Sequence, residues 1–475
     1  MVWFRQDLRL RDNPALNYAA EQGSVLPLYI DDKTCPAAYQ LGGASKWWLH
    51  HSLTSLNHSL DNQLHCQSGD AQQIILAWVK KHNITSVVWN RCYEPWQIKR
   101  DTAIKQALVD LGVAVKSFNA SLLWEPWQVL KKDQTPYKVF TPYYRNGCLS
   151  QPNPRMPIAA PASLNIKYNK ADDIGIETLN LLPDIPWDLQ IQKMWQPGEQ
   201  GASEKLKTFL PDGAHHYKAK RDMPSVTGTS QLSAHLHFGE ISPNQIWYAG
   251  IHALNGNTEN IGLDCYLSEL GWREFSYYLL YHFPTLPEQN FSKKFEYFQW
   301  RTDPPALKAW QQGQTGIPII DAGMRELWQT GTMHNRVRML VASFLVKNLL
   351  VDWRQGAKWF WDCLLDADLA ANSASWQWVA GTGADAAPYF RIFNPVTQGQ
   401  KFDTEGEYVR QFCPELSQLP NKYIHNPWDA SVDILRQANV SLGTTYPRPI
   451  ADLKTTRQRA LDTLSLSKQY LQPIK

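Results

Sequence analysis

The sequence predicts an α/β domain with a doubly wound parallel sheet, followed by an all-helical domain. Apolar runs typical of strands alternate with helical patterns over residues 1–125, prolines interrupt residues 126–200, and helical periodicity continues through residues 201–475. A chain of 475 residues is long for one hydrophobic core, so two or three domains are expected. We therefore predict two domains, at 1–125 and 201–475, joined by a connector at 126–200.

Short apolar runs and intervening helical stretches define the N-terminal domain. The predicted strands are residues 2–4, 25–30, 85–90 and 113–118, and the predicted helices are residues 44–64, 71–81 and 96–111. This alternation is typical of a parallel sheet. No GxGxxG or P-loop motif stands in the first strand-to-helix turn, so a dinucleotide bound in the usual Rossmann manner is not expected.

The remaining elements follow from proline content and helical period. Residues 126–200 carry prolines at 136, 142, 152, 154, 157, 161, 183, 186 and 197, and they are predicted to form a connector over the surface. Beyond residue 200, helical stretches of about 10 to 20 residues alternate with short polar breaks, which predicts an all-helical domain.

Composition restricts the function classes. Apolar residues make up 43% and charged residues 19% of the chain, and the net charge is +3. No apolar run reaches the about 18 residues of a membrane span, and no cleavable signal pattern is present, so we expect a soluble cytoplasmic protein. The seven cysteines form no CxxC pair and no ligand-like spacing with histidine, which favours reduced thiols and no metal site.

Two helical runs each place polar side chains and one large apolar group on a single face. The residues concerned, spaced i, i+3 and i+4 within each run, are Asn335, Arg338 and Met339, and Glu269, Trp272 and Arg273. Side chains at this spacing can converge on one pocket, and this mixture suits a flat, heteroaromatic, anionic ligand. Plain helix packing is the alternative, but Arg273 and Glu274 add charge that a dry core would not accept unpaired.

Taken together, the motifs resemble those of the photolyase and cryptochrome family of flavoproteins, and within it the bacterial cyclobutane pyrimidine dimer photolyases. The resemblance covers nearly the whole chain and is densest in residues 2–13, 228–233, 269–275, 315–325, 332–339, 366–372 and 423–428. It implies an antenna chromophore in the N-terminal domain and FAD in the helical domain. The implied activity is a carbon-carbon lyase reaction on UV-damaged DNA, in which photoexcited reduced FAD passes an electron to a flipped-out dimer. A monomer is expected.

The resemblance implies that FAD is bound between two groups of residues. They are Tyr217, Thr229, Ser230, Gln231, Leu232, Ser233, Arg273, Asn335, Arg338, Asp366, Asp368 and Asn372. Residues 229–233 would hold the diphosphate at a helix start. Asp366 would pair with Arg338 beside the isoalloxazine ring, Asp368 would bind ribose or ring polar atoms, and Asn372 would face the flavin N5. Without the resemblance, an ordinary helix N-cap and a capped turn explain the same residues.

The resemblance also assigns residues to the substrate and to electron transfer. The catalytic residues would be Glu269, Asn335, Met339 and Trp272, and the residues against the DNA lesion Arg221, Glu269, Trp272, Arg336, Met339 and Trp378. The electron chain would run outward from the flavin through Trp376, Trp353 and Trp300. Sequence spacing does not separate these roles from core packing, which explains most of the 21 tryptophans.

The antenna chromophore is less defined. Residues 44–49, 123–127 and 423–428 resemble the class III branch and plant cryptochromes, which favours methenyltetrahydrofolate, whereas a deazaflavin serves other photolyases. No antenna ligand residue can be matched. Thr332 and Tyr266 stand where many relatives have tryptophan, so the fine packing around the adenine and the lesion is not predicted.

Three other functions are compatible with parts of the pattern. A cryptochrome photoreceptor typically replaces the tryptophan at position 272, and plant members carry aspartate where Asn335 and Asn372 stand. A (6-4) photoproduct photolyase would place histidines at positions 335 and 339. A flavin-binding electron-transfer module would explain the flavin residues, but not Glu269, Trp272 and Met339 together.

Overall fold

The structure is a computed structural model that describes residues 1–386 and 390–469. The strands are β1 Val2–Phe4, β2 Pro27–Asp32, β3 His65–Gly69, β4 Ser86–Asn90 and β5 Ala114–Phe118. The helices are α1 Pro14–Gln22, α2 Gly43–Ser59, α3 Ala71–Lys81, α4 Pro95–Asp110, α5 Leu189–Met194, α6 Glu199–Lys220, α7 Ser233–His237, α8 Pro243–Ala253, α9 Ile261–His282, α10 Pro304–Gln311, α11 Pro318–Thr330, α12 Asn335–Ser343, α13 Trp353–Cys363, α14 Leu369–Ala380, α15 Pro395–Phe402, α16 Glu407–Phe412, α17 Val432–Gln437 and α18 Leu453–Gln469. Two π-helices, Pro142–Gly147 and Phe344–Asn348, complete the longer elements.

The five strands form one parallel sheet in the order β3-β2-β1-β4-β5, so the predicted fold class is confirmed. The sequence-based assignment of four strands omitted β3, in which His65 pairs with Leu28 of β2. It also omitted α1, although Asn13 caps this helix and Pro14 is its first residue.

Each face of the sheet is covered by helices. Alternate residues of β1 point to opposite sides: Val2 and Phe4 belong to a core with residues of α1 and α2, whereas Trp3 belongs to a core with residues of α3 and α4. All three side chains are fully buried. This arrangement is the doubly wound fold that the alternating pattern predicts.

Buried polar side chains fill the carboxyl edge of the sheet. Asn90 donates from Nδ2 to Asp7 at 2.6 Å and to Asn13 at 2.7 Å, and Arg5 donates to Asp101 at 2.6 Å. Doubly wound proteins bind nucleotides at this edge, where the strand order reverses. Here the chain's own groups occupy the position beside β1 and β4.

The described chain folds into two compact units. Unit 1 comprises residues 1–215, 230–284 and 365–370, and unit 2 comprises residues 216–229, 285–364 and 371–475. Each unit therefore includes chain segments that are far apart in sequence. The domains at 1–125, 126–200 and 201–475 stay a prediction. Within the described ranges, no helix is both long and apolar enough to cross a membrane.

The proline-rich segment 126–200 is partly buried in unit 1. Tyr143 and Tyr144, on its π-helix, are each 1% exposed. Tyr143 lies against Phe275 of α9, with ring centroids 5.0 Å apart, and a Cβ at Gly271 would come within 2.6 Å of the Tyr144 ring. The segment was expected to run over the surface, but these two tyrosines need an apolar partner and find it on α9.

In unit 2, a buried carboxylate joins two distant parts of the chain. Asp321, on α11, accepts hydrogen bonds from the backbone and hydroxyl of Thr315, both at 2.6 Å, and from the backbone N–H of Gly316 at 3.0 Å. It also accepts from the Tyr446 hydroxyl at 2.7 Å, across 125 positions of sequence. Four donors therefore compensate for the full burial of the Asp321 carboxylate, and they link residues 315–321 to residue 446 within the unit.

Candidate active site

On α9 in unit 1, Glu269, Trp272 and Arg273 lie on a half-buried face, while their neighbours Leu270, Gly271 and Glu274 are buried. The helix begins at Ile261, where the Asn260 side chain caps the backbone N–H of Leu263. The spacing predicted from the sequence thus gives one shared face on a helix that is anchored along its other side.

Trp272 is held by an aromatic stack. Phe140 lies parallel to the indole, with centroids 3.8 Å apart and planes 11° apart, and Tyr144 stacks behind Phe140 at 5.5 Å. One face of Trp272 is therefore covered by protein. The sequence did not indicate Phe140, because it is distant from Trp272 along the chain and no motif marks it.

Arg273 and Glu274 fix the approach of a loop to α9. Arg273 donates from Nη1 to the carbonyl of Ser121 at 2.7 Å, and Glu274 accepts from the backbone N–H groups of Leu123 at 2.9 Å and Trp124 at 3.2 Å. Burial raises the pKa of Glu274 to about 8, with the charge of Arg273 and the two N–H groups acting in the opposite direction. Arg273, a predicted flavin contact, is also part of this structural arrangement.

The predicted diphosphate segment leads into α7. In unit 1, the side chains of Ser230 and Tyr266 form a hydrogen bond, and Leu232 is buried just before α7 begins at Ser233. Gln231 lies in the left-handed region with a φ of 53°, and its side-chain oxygen accepts a hydrogen bond from Lys205 at 2.9 Å. In unit 2, Thr229 follows Gly228, where a Cβ would lie 2.5 Å from the carbonyl of Lys220. The glycine allows a close backbone approach that an alanine would block.

Asp368 is the better defined of the two predicted flavin aspartates. It is 8% exposed, accepts a short hydrogen bond from the Tyr277 hydroxyl, and lies 3.2 Å from Nδ1 of His237. Asp366 is half-buried in the same segment of unit 1. The sequence did not indicate the tyrosine and histidine, which come from α9 and α7.

In unit 2, α12 exposes its predicted functional face. Asn335, Arg338 and Met339 are exposed or half-buried, whereas Val337 and Leu340 are buried. Arg338 donates from Nε to the carbonyl of Met333 at 2.7 Å. The helix start is fixed by His334, whose Nδ1 accepts from the N–H of Arg336 at 3.2 Å. Burial lowers the pKa of His334 to about 4, so its imidazole is neutral and can accept.

Asp222 lies between the two arginines predicted to contact DNA. Its carboxylate is 2.8 Å from Arg336 and 3.9 Å from Arg221. Arg221 in turn lies over the ring of Tyr217, a predicted flavin contact that is 7% exposed. No sequence motif pointed to Asp222, which lies within ion-pair distance of both arginines in unit 2.

The side-chain amide of Asn372 makes one hydrogen bond, through its nitrogen. Its Nδ2 donates to the carbonyl of Ala357 on α13 at 3.0 Å. This bond fixes the orientation of the amide on α14. The carbonyl oxygen of Asn372 is therefore the end of the side chain that a ligand can use as an acceptor.

The three tryptophans of the predicted electron chain all lie in unit 2. Trp376 is 2% and Trp353 1% exposed, and Trp300 is half-buried. The ring of Trp376 lies 5.0 Å from that of Phe360 and 6.2 Å from that of Trp310. The sequence distinguished neither Phe360 nor Trp310 from ordinary packing residues, and the contacts with Trp376 identify them as its immediate environment.

The indole N–H groups of Trp353 and Trp378 each have a hydrogen-bond partner. Trp353 donates to the side chain of Asn290 at 3.0 Å, and Trp378, predicted to lie at the lesion, donates to the carbonyl of Asp385 at 3.0 Å. Trp300 packs against Phe298 with centroids 4.6 Å apart. Over residues 1–386 and 390–469, no group of three or more histidine, cysteine or acidic side chains is arranged to hold a metal ion.

The comparisons with known proteins agree with this geometry. A family model described as DNA photolyase matches residues 1–162, and one described as the FAD binding domain of DNA photolyase matches residues 266–466. A deoxyribodipyrimidine photo-lyase of Agrobacterium fabrum is 49% identical over 469 residues, which is 97% of this chain and 96% of that protein. Cryptochrome-2 of Arabidopsis thaliana is 38% identical over 99% of this chain and 79% of its own length.

A solved structure extends the likeness to the fold. The bacterial class III photolyase from Agrobacterium tumefaciens has a TM-score of 0.94 and 48% sequence identity, covering 98% of this chain and 97% of that one. A parallel-sheet region followed by an FAD-binding helical region defines a class of flavoproteins. The chain belongs to the photolyase and cryptochrome family, and the family predicted from its motifs is confirmed.

The residues of each unit fit FAD. Unit 1 provides a hydroxyl at Ser230 and the carboxylate of Asp368, and unit 2 provides the buried ring of Tyr217 and the carbonyl oxygen of Asn372. Hydroxyls suit a diphosphate, a carboxylate suits ribose hydroxyls, and an amide oxygen suits an N–H group of the flavin ring. Each unit thus carries groups of types that such a dinucleotide can bind.

Proposed function

We propose that this chain is a deoxyribodipyrimidine photo-lyase, which uses light to split cyclobutane pyrimidine dimers in DNA. The observation that carries this proposal is the half-buried pair Glu269 and Trp272 on one face of α9, with the indole backed by Phe140. A carboxylate beside a rigid aromatic face suits two linked pyrimidines, because it offers an acceptor for N3–H and a surface for stacking. Relatives with this enzyme name match nearly the full chain.

FAD is the proposed cofactor, and when bound and reduced it supplies the light-absorbing electron donor. The residues proposed to hold it are Tyr217, Thr229, Ser230, Gln231, Leu232, Ser233, Arg273, Asn335, Arg338, Asp366, Asp368 and Asn372. Because Nδ2 of Asn372 is bonded to Ala357, the amide presents its oxygen as an acceptor. An acceptor at this position suits a flavin that carries a proton on N5, which is the reduced form.

Glu269 and Asn335 are proposed to hold the polar edges of the dimer, with Trp272 and Met339 as its apolar walls. The thioether of Met339 adapts to an irregular surface, and the indole is fixed by its stack on Phe140. Flipping the dimer out of the duplex costs on the order of a few kcal/mol, and less for a lesion that already pairs poorly.

Arg221, Arg336 and Trp378 are proposed to lie along the DNA strand. Contacts from cationic side chains to phosphates make binding salt-sensitive. Asp222 holds Arg336 at 2.8 Å, so the guanidinium is positioned before DNA arrives. Preorganised contacts of this kind lose less side-chain entropy on binding.

The test is binding and repair of dimer-containing oligonucleotides by the FAD-loaded protein. Glu269→Ala is expected to weaken dimer binding by about 10- to 150-fold, since a hydrogen bond to a charged group contributes about 1.5–3 kcal/mol. Glu259→Ala, an exposed glutamate in the loop before α9, is the matched control. Lesion binding that is indifferent to loss of both Glu269 and Asn335 contradicts the proposal.

A cryptochrome photoreceptor is the less favoured function on the same fold. Cryptochrome-2 of Arabidopsis thaliana matches nearly the full chain, so likeness alone does not separate the two. The site residues favour the enzyme, because Trp272 is present and Asn335 and Asn372 are amides where plant cryptochromes carry aspartate. Light-dependent loss of dimers from DNA distinguishes the enzyme from a photoreceptor.

We also propose that unit 1 carries methenyltetrahydrofolate as a second, light-harvesting chromophore. The class III likeness favours this folate over a deazaflavin. An absorption spectrum of the chromophore released from the purified protein decides between them. The expectations that the protein is a monomer and acts in the cytoplasm stay predictions.

A further inference from the structure

A cavity of about 740 Å³ lies in unit 2. Its walls come from the segments 392–396, 426–429 and 449–457, together with Asn348. None of these residues is among those proposed to contact the flavin or the lesion or to carry electrons. Pockets that hold small organic ligands have volumes of about 300–1,000 Å³, so this cavity is large enough for one.

Asn348 provides a buried acceptor in the wall of this cavity. The residue is 2% exposed, and its Nδ2 donates to the hydroxyl of Thr456 at 2.8 Å. That hydroxyl donates its one hydrogen to the carbonyl of Asp452 at 2.6 Å, so it can only accept from Asn348, which fixes the position of the amide nitrogen. The amide oxygen of Asn348 is buried and has no hydrogen-bond partner among the described residues. A buried acceptor without a donor is costly, and a ligand in the cavity could supply the donor.

Asn426 provides a second acceptor of this kind. Its Nδ2 donates to the carboxylate of Asp429 at 2.8 Å, and an ionised carboxylate can only accept, so the amide nitrogen is again identified by its partner. The oxygen of Asn426 is also buried without a hydrogen-bond partner in the described ranges. Two amide oxygens in the wall of one cavity suit a ligand that brings at least two N–H or O–H hydrogens.

The rest of the cavity combines aromatic walls with positive charge at its rim. Trp428 and Phe393 are half-buried, and no ring of the described residues stacks on Trp428. Lys454 and Arg457 are exposed in the first two turns of α18, and Arg457 has no ion-pair or hydrogen-bond partner in the part of the chain that the structure describes. An aromatic surface beside two cations suits a flat ligand that carries a negative charge.

Two carboxylates, those of Asp429 and Asp452, also line the rim. Each already accepts a hydrogen bond from the chain, Asp429 from Asn426 and Asp452 from the backbone N–H of Thr455 at 2.7 Å. A carboxylate accepts several hydrogen bonds, so both can also bind hydroxyl groups. The rim therefore suits a ligand that joins hydroxyls to an anionic group, as a sugar phosphate does.

We propose that this cavity binds a free nucleoside monophosphate whose base carries an amino group, such as cytidine monophosphate (CMP). The amino group supplies N–H hydrogens to the amide oxygens of Asn348 and Asn426. The base stacks on Trp428, and the phosphate pairs with Arg457. Uracil has a carbonyl where cytosine has its amino group, so it leaves at least one of the two amide oxygens unpaired. This site goes beyond the proposed repair function and does not depend on it.

Isothermal titration calorimetry with CMP tests the proposal. The full-length protein is first saturated with FAD, which keeps CMP out of the flavin site. One CMP should bind per chain, and uridine monophosphate should bind about 2- to 12-fold more weakly, as expected for the loss of one hydrogen bond. A protein that does not bind CMP, or that binds the two nucleotides equally, overturns the proposal.

Two variants test whether CMP binds in this cavity. Trp428→Ala should weaken CMP binding by about 5- to 150-fold, the usual contribution of a base stacked on an aromatic side chain. The double variant Lys454→Gln/Arg457→Gln changes only exposed side chains, so it should fold normally and weaken CMP binding by at least about 5-fold. The matched control Lys358→Gln/Arg436→Gln, at exposed positions of unit 2 outside the cavity, should bind CMP as the wild type does. CMP binding that survives both cavity variants contradicts the site, and variants that weaken binding of a single-stranded oligonucleotide but not of CMP would overturn the proposal of a free nucleotide.

Discussion

At the scale of single residues, buried carboxyl groups determine how stability depends on pH. Glu274 is 1% exposed and bonds two backbone N–H groups, yet burial raises its pKa to about 8. Because the folded-state pKa lies above the unfolded value near 4.5, its contribution to stability is full below that value and is lost as pH rises through about 8.

Glu274→Gln is predicted to remove this dependence. The amide oxygen can still accept from Leu123 and Trp124, but it cannot ionise. The wild type should lose up to about 4 kcal/mol more than the variant between pH 5 and 9, at about 1.36 kcal/mol per pKa unit. Denaturant unfolding across this pH range measures the difference, and parallel curves for the two proteins would show that Glu274 stays ionised throughout.

Trp376→Phe is predicted to abolish photoreduction of the oxidised flavin and to leave dimer repair nearly normal once the flavin is reduced chemically. The physical reason is that the proposed tryptophan chain would feed electrons inward and would not lie on the route to the lesion. Transient absorption and repair assays measure the two activities separately. Trp187→Phe, at a partly exposed tryptophan of unit 1, is the control. Equal loss of both activities would make Trp376 a structural residue.

At the scale of elements, the contact of α13 with α14 depends on one glycine. A Cβ at Gly356 would overlap the Trp376 ring and lie 2.7 Å from Cδ2 of Leu345. Gly356→Ala is predicted to lower the free energy of unfolding by about 1–3 kcal/mol, as overpacking does in a filled core. Gln355→Ala, exposed on the same helix, should change it by no more than about 0.5 kcal/mol. A stable Gly356→Ala variant would mean that α13 and α14 can separate slightly at no cost.

The sequence predicted most elements but not all. Helix α3 has the predicted bounds, 71–81, because its apolar positions repeat at helical spacing and Asp70 caps it. Strand β3 was missed because it is largely polar and pairs with β2 alone. The burial of His65 and Cys66 comes from tertiary packing, which no local pattern records.

Local sequence patterns likewise predict some features of the candidate site and not others. The shared face of Asn335 and Met339 follows from helical spacing and is seen on α12. The stack of Phe140 on Trp272 and the contact of Asp222 with Arg336 join segments more than 100 residues apart in the chain. Such contacts depend on tertiary packing, so residue types at one position cannot indicate them.

At the scale of the whole molecule, the proposed chemistry leads to a prediction of lesion specificity. Repair of a (6-4) photoproduct requires proton transfer, for which histidine is suited because it titrates near neutral pH. Asn335 and Met339 stand at the positions concerned, and neither an amide nor a thioether can transfer a proton there. We predict blue-light repair of cyclobutane dimers and no repair of (6-4) lesions. Assays on oligonucleotides with one defined lesion test this, and efficient (6-4) repair by the unmodified protein would contradict it.

The four-donor carboxylate of Asp321 also bears on how the chain folds as it is made. Tyr446 lies 125 residues further along, so at a synthesis rate of about 5–20 residues per second it follows Asp321 by about 6–25 s. During that interval the aspartate lacks one of its four donors. The buried contact around Asp321 is therefore completed only after residue 446 has been synthesised, and a chain truncated before that residue is expected to be more open to proteases.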